Sequence, residues 1–308
     1  MGRGARKPEG FRDVDGILLL HKPVGISSNR ALQKVRHLFK ANKAGHTGSL
    51  DPLASGLLPI CFGEATKFSG YLLNAAKYYR AVCQLGKTTR TGDAEGEVIA
   101  ELPVQVNRAQ IDSVLKQFTG TVEQVPPMYS AIKHKGQRLY HLARIGKEVE
   151  RPARSIEIYS LNLIDFSDDR LELDIHCSKG TYIRTLAEDI GKALGCGAFV
   201  AGLERTGVHP FLQQRSYTLE QLGEIASQGI ENLDICLLPV NSALADLPEL
   251  VVDRSAVALL KQGRAVQVTH APASVLLALV AESGQFIGVG KVLPDGKIAP
   301  KRLMNTAR

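Results

Sequence analysis

The sequence predicts an α+β protein, in which a mixed and largely antiparallel sheet is flanked by helices and followed by a small β-rich module. Two patterns lead to this fold class. Segments of helical and strand periodicity follow one another without the regular strand-helix-strand order of a doubly wound parallel sheet. Near residue 246 the sequence pattern changes to short apolar runs separated by turn sequences. We therefore expect a flexible basic N-terminal arm over residues 1–12, a main domain over 13–246 and a second domain over 247–308.

Capping residues and apolar periodicity define the elements of the main domain. Ser27, Ser28 or Asn29 can cap a helix whose apolar face includes Leu32 and Val35. The later predicted elements are a helix over 64–76, a strand over 78–85, a loop over 88–97, a helix begun by Asn107 with Gln110, a strand over 171–177, a helix over 183–194 and a helix begun by Thr218 with Gln221.

The C-terminal module is predicted from one short helix and several strand-like runs. The helix covers 255–262 and stops at Gly263. The runs that follow cover 265–268, 275–281, 286–292 and 298–304. The last run carries Lys301 and Arg302, which could contact phosphate or could protect an exposed strand edge from aggregation. The sequence does not choose between these two roles.

Composition points to an anionic partner. The chain has 308 residues, of which 44% are hydrophobic and 22% charged, as in an ordinary globular protein. Lys and Arg outnumber Asp and Glu by 38 to 31, and the pI is about 9.1. Apolar runs such as 275–281 are far shorter than the roughly 20 residues that cross a membrane. We therefore expect nucleic acid rather than membrane as the partner, and a cytoplasmic location.

The sequence carries no cofactor or metal signature. Its five cysteines, Cys61, Cys83, Cys177, Cys196 and Cys236, are widely spaced and show no zinc-ligand pattern. No glycine loop of the Walker or dinucleotide type is present. We expect the cysteines to be small core residues, and the chemistry to depend on side chains and substrate, with no metal and no cofactor.

Asp51 is the only carboxylate in the run Gly45-His-Thr-Gly-Ser-Leu-Asp-Pro-Leu-Ala-Ser-Gly. Pro52 disfavours helix at Asp51, and the glycines allow a tight loop that another molecule could approach closely. Taken in isolation, an Asp-Pro pair more often makes a hydrogen bond within an ordinary turn. The remaining motifs of the chain favour a catalytic role for the carboxylate.

Four segments together carry a resemblance to a known family. They are the Asp51 loop, Leu20-His-Lys-Pro-Val-Gly-Ile-Ser-Ser, Lys77-Tyr-Tyr-Arg-Ala and Cys177-Ser-Lys-Gly-Thr-Tyr-Ile-Arg-Thr. The chain closely resembles the TruB-type tRNA pseudouridine-55 synthases from about Gly16 to its C-terminus. The resemblance implies a pseudouridine synthase core followed by a PUA-like RNA-binding domain. It also implies isomerisation of uridine 55 in the tRNA T-arm by base flipping, cleavage of the glycosidic bond, rotation of the uracil and rejoining at C5.

The resemblance implies roles for particular residues. Asp51 matches the catalytic nucleophile, Arg184 its charge partner, and Tyr79 the tyrosine that stacks on the uracil and serves as a base for the C5 proton. Positions that match substrate-binding or pocket-supporting groups are His46, Tyr182, Leu203, Lys22, Lys67 and Asp93. An arginine beside Asp51 should lower the pKa of that carboxyl by roughly 1–3 units. Whether Asp51 attacks C1′ or removes the C2′ proton stays open.

Considered without the family resemblance, the same residues allow other interpretations. Tyr79 could be a core tyrosine, Leu203 plain core, Arg184 a surface arginine at a helix start, and the lysines solvated charges. At the level of the whole chain, an RNA-binding protein or a tRNA folding chaperone would also explain the basic charge. An aspartyl-phosphate enzyme would use a nucleophilic Asp, but it ordinarily needs magnesium carboxylates, which the Asp51 loop lacks. We expect a monomer, because no large exposed apolar seam is evident.

Overall fold

The structure is a computed structural model that describes residues 10–268 and 272–305. The strands are β1 (Gly16–Lys22), β2 (Ala44–His46), β3 (Ser55–Phe62), β4 (Lys77–Leu85), β5 (Lys87–Thr89), β6 (Val98–Glu101), β7 (Gly120–Gln124), β8 (Lys133–His134), β9 (Gln137–Arg138), β10 (Arg154–Ser167), β11 (Arg170–Cys177), β12 (Ala198–Val208), β13 (Leu237–Leu238), β14 (Glu249–Val252), β15 (Leu276–Ala281), β16 (Phe286–Val292) and β17 (Ile298–Leu303). The α-helices are α1 (Ser28–Leu38), α2 (Ser69–Asn74), α3 (Arg108–Gln117), α4 (Leu139–Arg144), α5 (Ile183–Ala193), α6 (Leu219–Ser227) and α7 (Arg254–Lys261). Within these ranges, no helix is long and apolar enough to span a bilayer.

A nine-stranded main sheet organises most of the chain. Its strand order is β13-β1-β3-β12-β4-β11-β10-β7, and β2 pairs with β3 off this path. The pairs are antiparallel except that of β12 with β3. The predicted mixed, largely antiparallel sheet is thus confirmed, and its one parallel pair brings the distant β12 beside the end of the Asp51 loop.

Helices cover different parts of the main sheet. Apolar residues of α3 and α5, among them Ile111 and Leu186, pack with alternate residues of β4, β10 and β11 in one core cluster. A second cluster joins α1 and α6 to β1 and β3, with Phe39 stacked on Phe62 at 4.8 Å between ring centroids. Alternate burial along β4 and β11 is the pattern of strands with one covered face.

The C-terminal residues form a separate four-stranded sheet with the order β14-β15-β16-β17. Helix α7 packs against it, and Leu260 is buried in its core. Apolar contact joins this unit to the main sheet, because Phe68 and Phe286 meet edge to face at 5.4 Å. Lys67 also donates to the carbonyl of Leu303, at 3.1 Å. The two units therefore pack directly against each other in the free protein.

The predicted helix starts are confirmed at atomic detail. Ser27 accepts a hydrogen bond from the backbone of Arg30 at the start of α1. Capping boxes with both reciprocal bonds begin α3, at Asn107 and Gln110, and α6, at Thr218 and Gln221. The five cysteines are free and buried, as expected.

Several predicted elements were wrong in extent. The helix over 64–76 is a 3-10 helix, Gly63–Lys67, followed by α2, because the backbone of Phe68 leaves the helical region where its ring packs against the C-terminal unit. The predicted loop over 88–97 contributes its first residues to β5, which pairs with β6. The run 265–268 forms only an isolated bridge from Val266 to Ile298.

The predicted flexible arm also needs correction at its end. Residues 1–9 of that arm lie outside the described residues. Arg12, its last residue, is held in place: its guanidinium pairs with both carboxylate oxygens of Asp234 at 2.7 Å. Its backbone N–H donates to the carbonyl of Lys40 at 2.6 Å. Arg12 therefore belongs to the folded main unit.

Candidate active site

Asp51 lies outside regular structure, in the loop between β2 and β3, as Pro52 predicts. Hydrogen bonds from α1 fix this loop: Leu50 N–H donates to the hydroxyl of Ser28 at 2.7 Å, and that hydroxyl donates back to the Leu50 carbonyl at 3.0 Å. The N–H of Gly25 donates to the carbonyl of Pro52 at 2.8 Å. The backbone on both sides of Asp51 is thus anchored before any substrate binds.

Arg184 approaches Asp51 from the first turn of α5. Its Nη2 lies 2.9 Å from Oδ2 of Asp51, and its side chain is only 5% exposed, whereas that of Asp51 is 42% exposed. Its guanidinium also donates to the carbonyls of Thr91, at 2.9 Å, and Tyr129, at 2.7 Å. The arginine is therefore held by neighbours other than Asp51, and the carboxylate extends from it toward the solvent.

Asp93 lies on the other side of the same guanidinium. Its Oδ2 is 3.5 Å from Nη1 of Arg184, and the carboxylate is 4% exposed. Its other oxygen accepts from the Thr91 hydroxyl and from the N–H of Glu95, the latter at 3.1 Å. One buried arginine thus joins two aspartates of unlike exposure, Asp51 open to the cleft and Asp93 beneath it.

The pKa of Asp51 corrects an expectation from the sequence. Burial raises the pKa of this carboxyl above its ordinary value of 3.8, and this effect is larger than the lowering by Arg184. Asp93 raises the pKa further, while Lys22 lowers it. The predicted lowering by the arginine is present, but the net direction is upward, because the sequence showed the partner and not the depth of the loop.

Asp51 and Arg184 face an open cleft of about 740 Å³, which is large enough for a nucleotide. Its walls combine the Asp51 loop, the 91–95 segment, α1 and the 129–144 segment. The side chains that line it include Ser28, His46, Asp51, Asp93, Glu95, Tyr129, Lys133, Arg138, Tyr140, Arg144 and Arg184. Acidic groups therefore lie near its floor, with basic residues of the 129–144 segment along its wall.

Tyr79 and Leu203 lie in the apolar cluster next to the cleft. Tyr79 is on β4 and 9% exposed, and it packs in the cluster that also contains Leu50. Leu203, on β12, pairs with Ala81 and packs partly buried against the same cluster. Burial raises the pKa of the Tyr79 hydroxyl, and the charge of Arg205 acts in the opposite direction. Neither side chain lines the cleft in this structure.

His46 and Tyr182 flank the central pair. His46 ends β2 and lines the cleft, and burial and the charge of Arg205 lower the pKa of its imidazole. Its Nδ1 is buried without a hydrogen-bond partner among the described residues. Tyr182 is the N-cap residue of α5, and its backbone exchanges two hydrogen bonds with the side chain of Gln124. Gln124 thereby helps to fix the start of the helix that carries Arg184.

Lys22 is a buried lysine behind the loop, not a solvent-facing one. It is 0% exposed, and its ammonium donates to the carbonyls of Pro23 and Ile26, at 2.7 and 2.8 Å. Burial lowers its pKa to about 8, against a raising effect of Asp51. In this conformation Lys22 supports the backbone under the site.

Lys67 lies at a different place from the other predicted site residues. Its ammonium is 2.6 Å from Oε2 of Glu64, beside the C-terminal sheet. It lines a second cavity of about 580 Å³, the junction cavity, between the main sheet and the C-terminal unit. Tyr71, His209, Asp246, Lys301 and Arg302 also line this cavity.

Three groups at the site escaped the sequence analysis. Glu95 lines the cleft, and burial followed by the charge of Asp93 raises its pKa. Tyr129 contributes its backbone carbonyl to Arg184, which a sequence does not reveal. Arg205 is 1% exposed behind the Asp51 loop. Its position in a strand, two residues after Leu203, is the only signal the sequence offered.

Family models match most of the chain. The model "TruB family pseudouridylate synthase (N terminal domain)" matches residues 36–183. "tRNA pseudouridylate synthase B C-terminal domain" matches 184–245, and "Pseudouridine synthase II TruB, C-terminal" matches 248–304. A solved structure described as "Structure of H/ACA RNP bound to a substrate RNA containing 2'-deoxyuridine" is similar with a TM-score of 0.73 and 25% identity, over 95% of this chain and 86% of that chain. Fold and site thus define a pseudouridine synthase.

Close relatives give the family. The chain is 54% identical to the tRNA pseudouridine synthase B of Ectopseudomonas mendocina (strain ymp), over 96% of this chain and 97% of that protein. It is 53% identical to the protein of that name from Pseudomonas fluorescens (strain Pf0-1), with the same coverage. The chain therefore belongs to the TruB family of pseudouridine synthases, which are isomerases.

Proposed function

We propose that this protein converts uridine 55 in the T-loop of tRNA to pseudouridine, with Asp51 as the catalytic carboxylate. The observation that carries the proposal is the Asp51–Arg184 pair, 2.9 Å apart, at the floor of a cleft that fits a nucleotide. The relatives of this protein are named tRNA pseudouridine synthase B. Because a uridine in a folded T-arm is stacked, it must flip out to reach the cleft.

The arrangement supports two chemical roles for Asp51. As a nucleophile, its carboxylate would bond to C1′ while the N1–C1′ bond breaks and the electron pair leaves with the uracil. As a base, it would take the C2′ proton and leave a glycal. In both routes the uracil turns, C5 bonds to C1′, the proton on C5 is lost and N1 regains a proton. In the nucleophilic route the Asp51–C1′ bond breaks as C5 attacks C1′, and its electron pair returns to the carboxylate; in the glycal route Asp51 returns its proton to C2′ as C5 bonds to C1′. Arg184 favours the ionised carboxylate that either route requires.

Tyr79 and Leu203 are proposed to contact the flipped uracil. The apolar cluster beside Asp51 offers a flat aromatic surface with one hydroxyl, which suits a base with polar edges. Access to Tyr79 requires a small opening of the cleft, since its ring is 9% exposed. We propose that Tyr79, as phenolate, takes the C5 proton in the last step, and that Tyr182 lies near the same base.

His46 is proposed to hold the RNA open by stacking, not by an ion pair with phosphate. Its lowered pKa favours the neutral imidazole at neutral pH. A neutral ring loses little by stacking under a base and gains little from a phosphate. Lys22 and Asp93 are proposed to support the site, since both are buried and bonded to neighbouring backbone or side-chain groups.

Two basic regions are proposed to contact the RNA backbone. Lys133, Arg138 and Arg144 lie along the wall of the cleft. Lys67, Lys301 and Arg302 lie around the junction cavity. Phosphates bound at both regions would offset the cost of flipping and would make affinity depend on salt. The basic residues of α1 are proposed as further contacts.

Finer features of the protein belong to the same proposal. We propose a catalytic domain over 13–246 and a PUA-like RNA-binding domain over 247–308, recognition of the T-arm by its shape, and action as a cytoplasmic monomer without metal or cofactor. The separate sheet that begins at Glu249 supports the division. Sedimentation of the free protein and of its complex with one tRNA checks the oligomeric state.

One assay tests the proposed function. An unmodified tRNA transcript is incubated with parent protein without metal or nucleotide, and pseudouridine is mapped by carbodiimide labelling and primer extension. We expect modification at position 55 alone, and loss of at least about 10³-fold in rate in Asp51→Asn with tRNA affinity retained. Asp165→Asn, the same charge change on an exposed strand residue outside the cleft, should keep the parental rate.

Other outcomes of this assay have definite meanings. If the parent leaves every uridine of a folded transcript unchanged, the proposed function is wrong. If Asp51→Asn retains the parental rate, the assignment of Asp51 fails. Improved tRNA folding by both parent and Asp51→Asn would instead add the folding-chaperone activity to the proposal.

A further inference from the structure

Arg205 is a buried cation next to the catalytic loop that the proposed reaction does not yet use. It lies on β12 between two strands of the site, opposite Gly56 of β3 in the parallel pair and opposite Tyr79 of β4 in the antiparallel pair. It is 1% exposed and belongs to the largest fully buried side chains of the described protein. Such a position places its guanidinium behind the Asp51 loop.

The guanidinium bonds to both ends of that loop. Its Nε donates to the carbonyl of Leu57 at 2.7 Å, after Asp51 in the chain. Its Nη2 donates to the carbonyl of Gly48 at 3.2 Å, before Asp51. Tyr79 is its cross-strand neighbour on β4, and the hydroxyl of that tyrosine lies within reach of the arginine's charge. One planar group thus bonds to the backbone on either side of the proposed nucleophile and lies on the strand next to the proposed base.

The backbone is shaped to bring Arg205 this close. Gly56 has φ +102°, and a Cβ there would lie 2.3 Å from the carbonyl oxygen of Arg205. Gly48 has φ +104°, and a Cβ there would lie 3.6 Å from Nη1 of Arg205. Gly56 therefore allows the close approach of β3 to Arg205, whereas Gly48 serves the loop by its left-handed backbone and leaves ordinary contact distance to the guanidinium.

Stability alone is a poor explanation for this arginine. Among the described residues, no carboxylate lies within ion-pair distance of it, and its bonds are to neutral acceptors. A buried charge without a counter-charge is costly, and an apolar side chain of similar size would serve a structural role better. Its charge acts on the site, since it lowers the pKa of His46 and opposes the raising of the Tyr79 pKa by burial.

We propose that Arg205 is a positioning residue that holds both ends of the Asp51 loop in one arrangement, and that its charge, beside its cross-strand neighbour Tyr79, stabilises the phenolate that takes the C5 proton. This inference rests on the proposed function. It assigns two separable tasks to one side chain, a clamp that depends on the shape of the guanidinium and an electrostatic effect that depends on its charge.

Two substitutions separate the tasks. Arg205→Lys keeps the charge and loses the fork of donors, whereas Arg205→Met keeps much of the length and loses the charge. Single-turnover rate constants for pseudouridine formation are measured between pH 6 and 9.5, together with tRNA affinity and the thermal unfolding midpoint. We expect Arg205→Lys to slow the reaction at least about 10-fold with unchanged affinity, and the rise in rate at alkaline pH that marks ionisation of Tyr79 should keep its position.

Arg205→Met should slow the reaction further and move this rise in rate to higher pH. In a double-mutant cycle with Tyr79→Phe, the effect of Arg205→Met should shrink, because part of it acts through the missing hydroxyl. Parental rates and profiles in folded Arg205 variants would overturn the proposal. So would a loss of rate that equals the unfolded fraction.

A measurement without turnover keeps the test independent of the reaction. In protein labelled with ¹³Cζ-tyrosine, the Tyr79 signal is assigned among the eight tyrosines by its absence in Tyr79→Phe. Its pKa should be higher in Arg205→Met than in the parent and nearly parental in Arg205→Lys. An inactive parent would end the proposed function, while this titration would still decide whether Arg205 acts on Tyr79. Should Arg205→Met fail to fold, the rate and pH profile of Arg205→Lys still show whether the guanidinium holds the Asp51 loop in place.

Discussion

At the residue scale, burial and neighbouring charges together set the pKa of Asp51. Burial raises the pKa of Asp51, Arg184 lowers it and Asp93 raises it again. Arg184 is fixed by two backbone carbonyls as well as by both aspartates, so its position does not depend on Asp51 being ionised. The pair is therefore organised before the substrate binds.

Loss of the Arg184 charge should change both the rate and its pH dependence. In Arg184→Gln, we expect a fall of about 10²-fold or more in the single-turnover rate constant. Because Arg184 lowers the Asp51 pKa, its removal raises that pKa further, and the acidic limb of the rate profile moves to higher pH. Rate constants between pH 5 and 8 measure this shift. An acidic limb that stays in place would show that Asp51 is not the group that titrates.

Lys22 gives a prediction for stability as a function of pH. Its folded-state pKa of about 8 lies below the ordinary value of 10.5, so the unfolded chain binds more protons between these two values. Relative to Lys22→Met, the parent should therefore gain stability as pH rises from about 8 to 10.5, at no more than about 1.4 kcal/mol per pH unit. Urea unfolding of both proteins at pH 7.5 and 9.5 measures the difference, and parallel profiles would contradict the lowered pKa.

At this scale, the sequence predicted the residues that belong to a recognisable motif. Asp51 and Arg184 were predicted as partners and lie 2.9 Å apart. The net direction of the Asp51 pKa was missed, because it depends on burial by segments far away in the chain. Arg205 was missed for a similar reason, since a lone arginine on a strand is ordinarily read as solvent-facing.

At the element scale, local signals were reliable where the interaction is local. Caps at Ser27, Asn107 and Thr218 join residues three positions apart; Asn107 and Thr218 were predicted from sequence, and Ser27 was one of three candidates. The helix predicted over 64–76 is broken at Phe68, whose ring packs on Phe286 from the C-terminal sheet. That contact spans most of the chain, so a local pattern did not reveal it.

The start of β3 gives a prediction about the loop that carries Asp51. Gly56→Ala forces an L residue to φ +102° and places a methyl group 2.3 Å from the Arg205 carbonyl oxygen. We expect a loss of roughly 1–3 kcal/mol in the free energy of unfolding and a slower reaction, since Asp51 lies on the displaced loop. Gly45→Ala is the matched control, because its Cβ would meet nothing within 4 Å. Equal stability of the two variants would contradict the close approach of Arg205.

At the scale of the whole molecule, topology brings the site together. The parallel pairing of β12 with β3 sets Arg205 behind the Asp51 loop, and the adjacent β4 carries Tyr79. The sequence predicted a mixed, largely antiparallel sheet but not which strands are neighbours. The family resemblance placed Lys67 among the substrate-binding or pocket-supporting residues, and topology sets it at the junction cavity with Lys301 and Arg302, away from the cleft.

The junction cavity gives a prediction about RNA affinity. If Lys301 and Arg302 contact phosphates, the double variant Lys301→Gln/Arg302→Gln should bind tRNA more weakly, and the slope of log affinity against log salt should fall by about 1 for each phosphate that is no longer neutralised. The single-turnover rate at saturating protein should stay parental, because both residues lie away from the cleft. Filter binding between about 50 and 200 mM salt measures the slope.

The matched control removes the same charge from another surface. Arg108 and Lys116 lie exposed on α3, outside both cavities, and Arg108→Gln/Lys116→Gln should leave the slope parental. An equal fall of the slope in both double variants would show that the effect comes from net charge, because long-range attraction depends on the +7 charge of the whole chain. A fall confined to Lys301→Gln/Arg302→Gln would instead show that these two residues contact phosphates. Protection of a strand edge from aggregation would then not be their sole role.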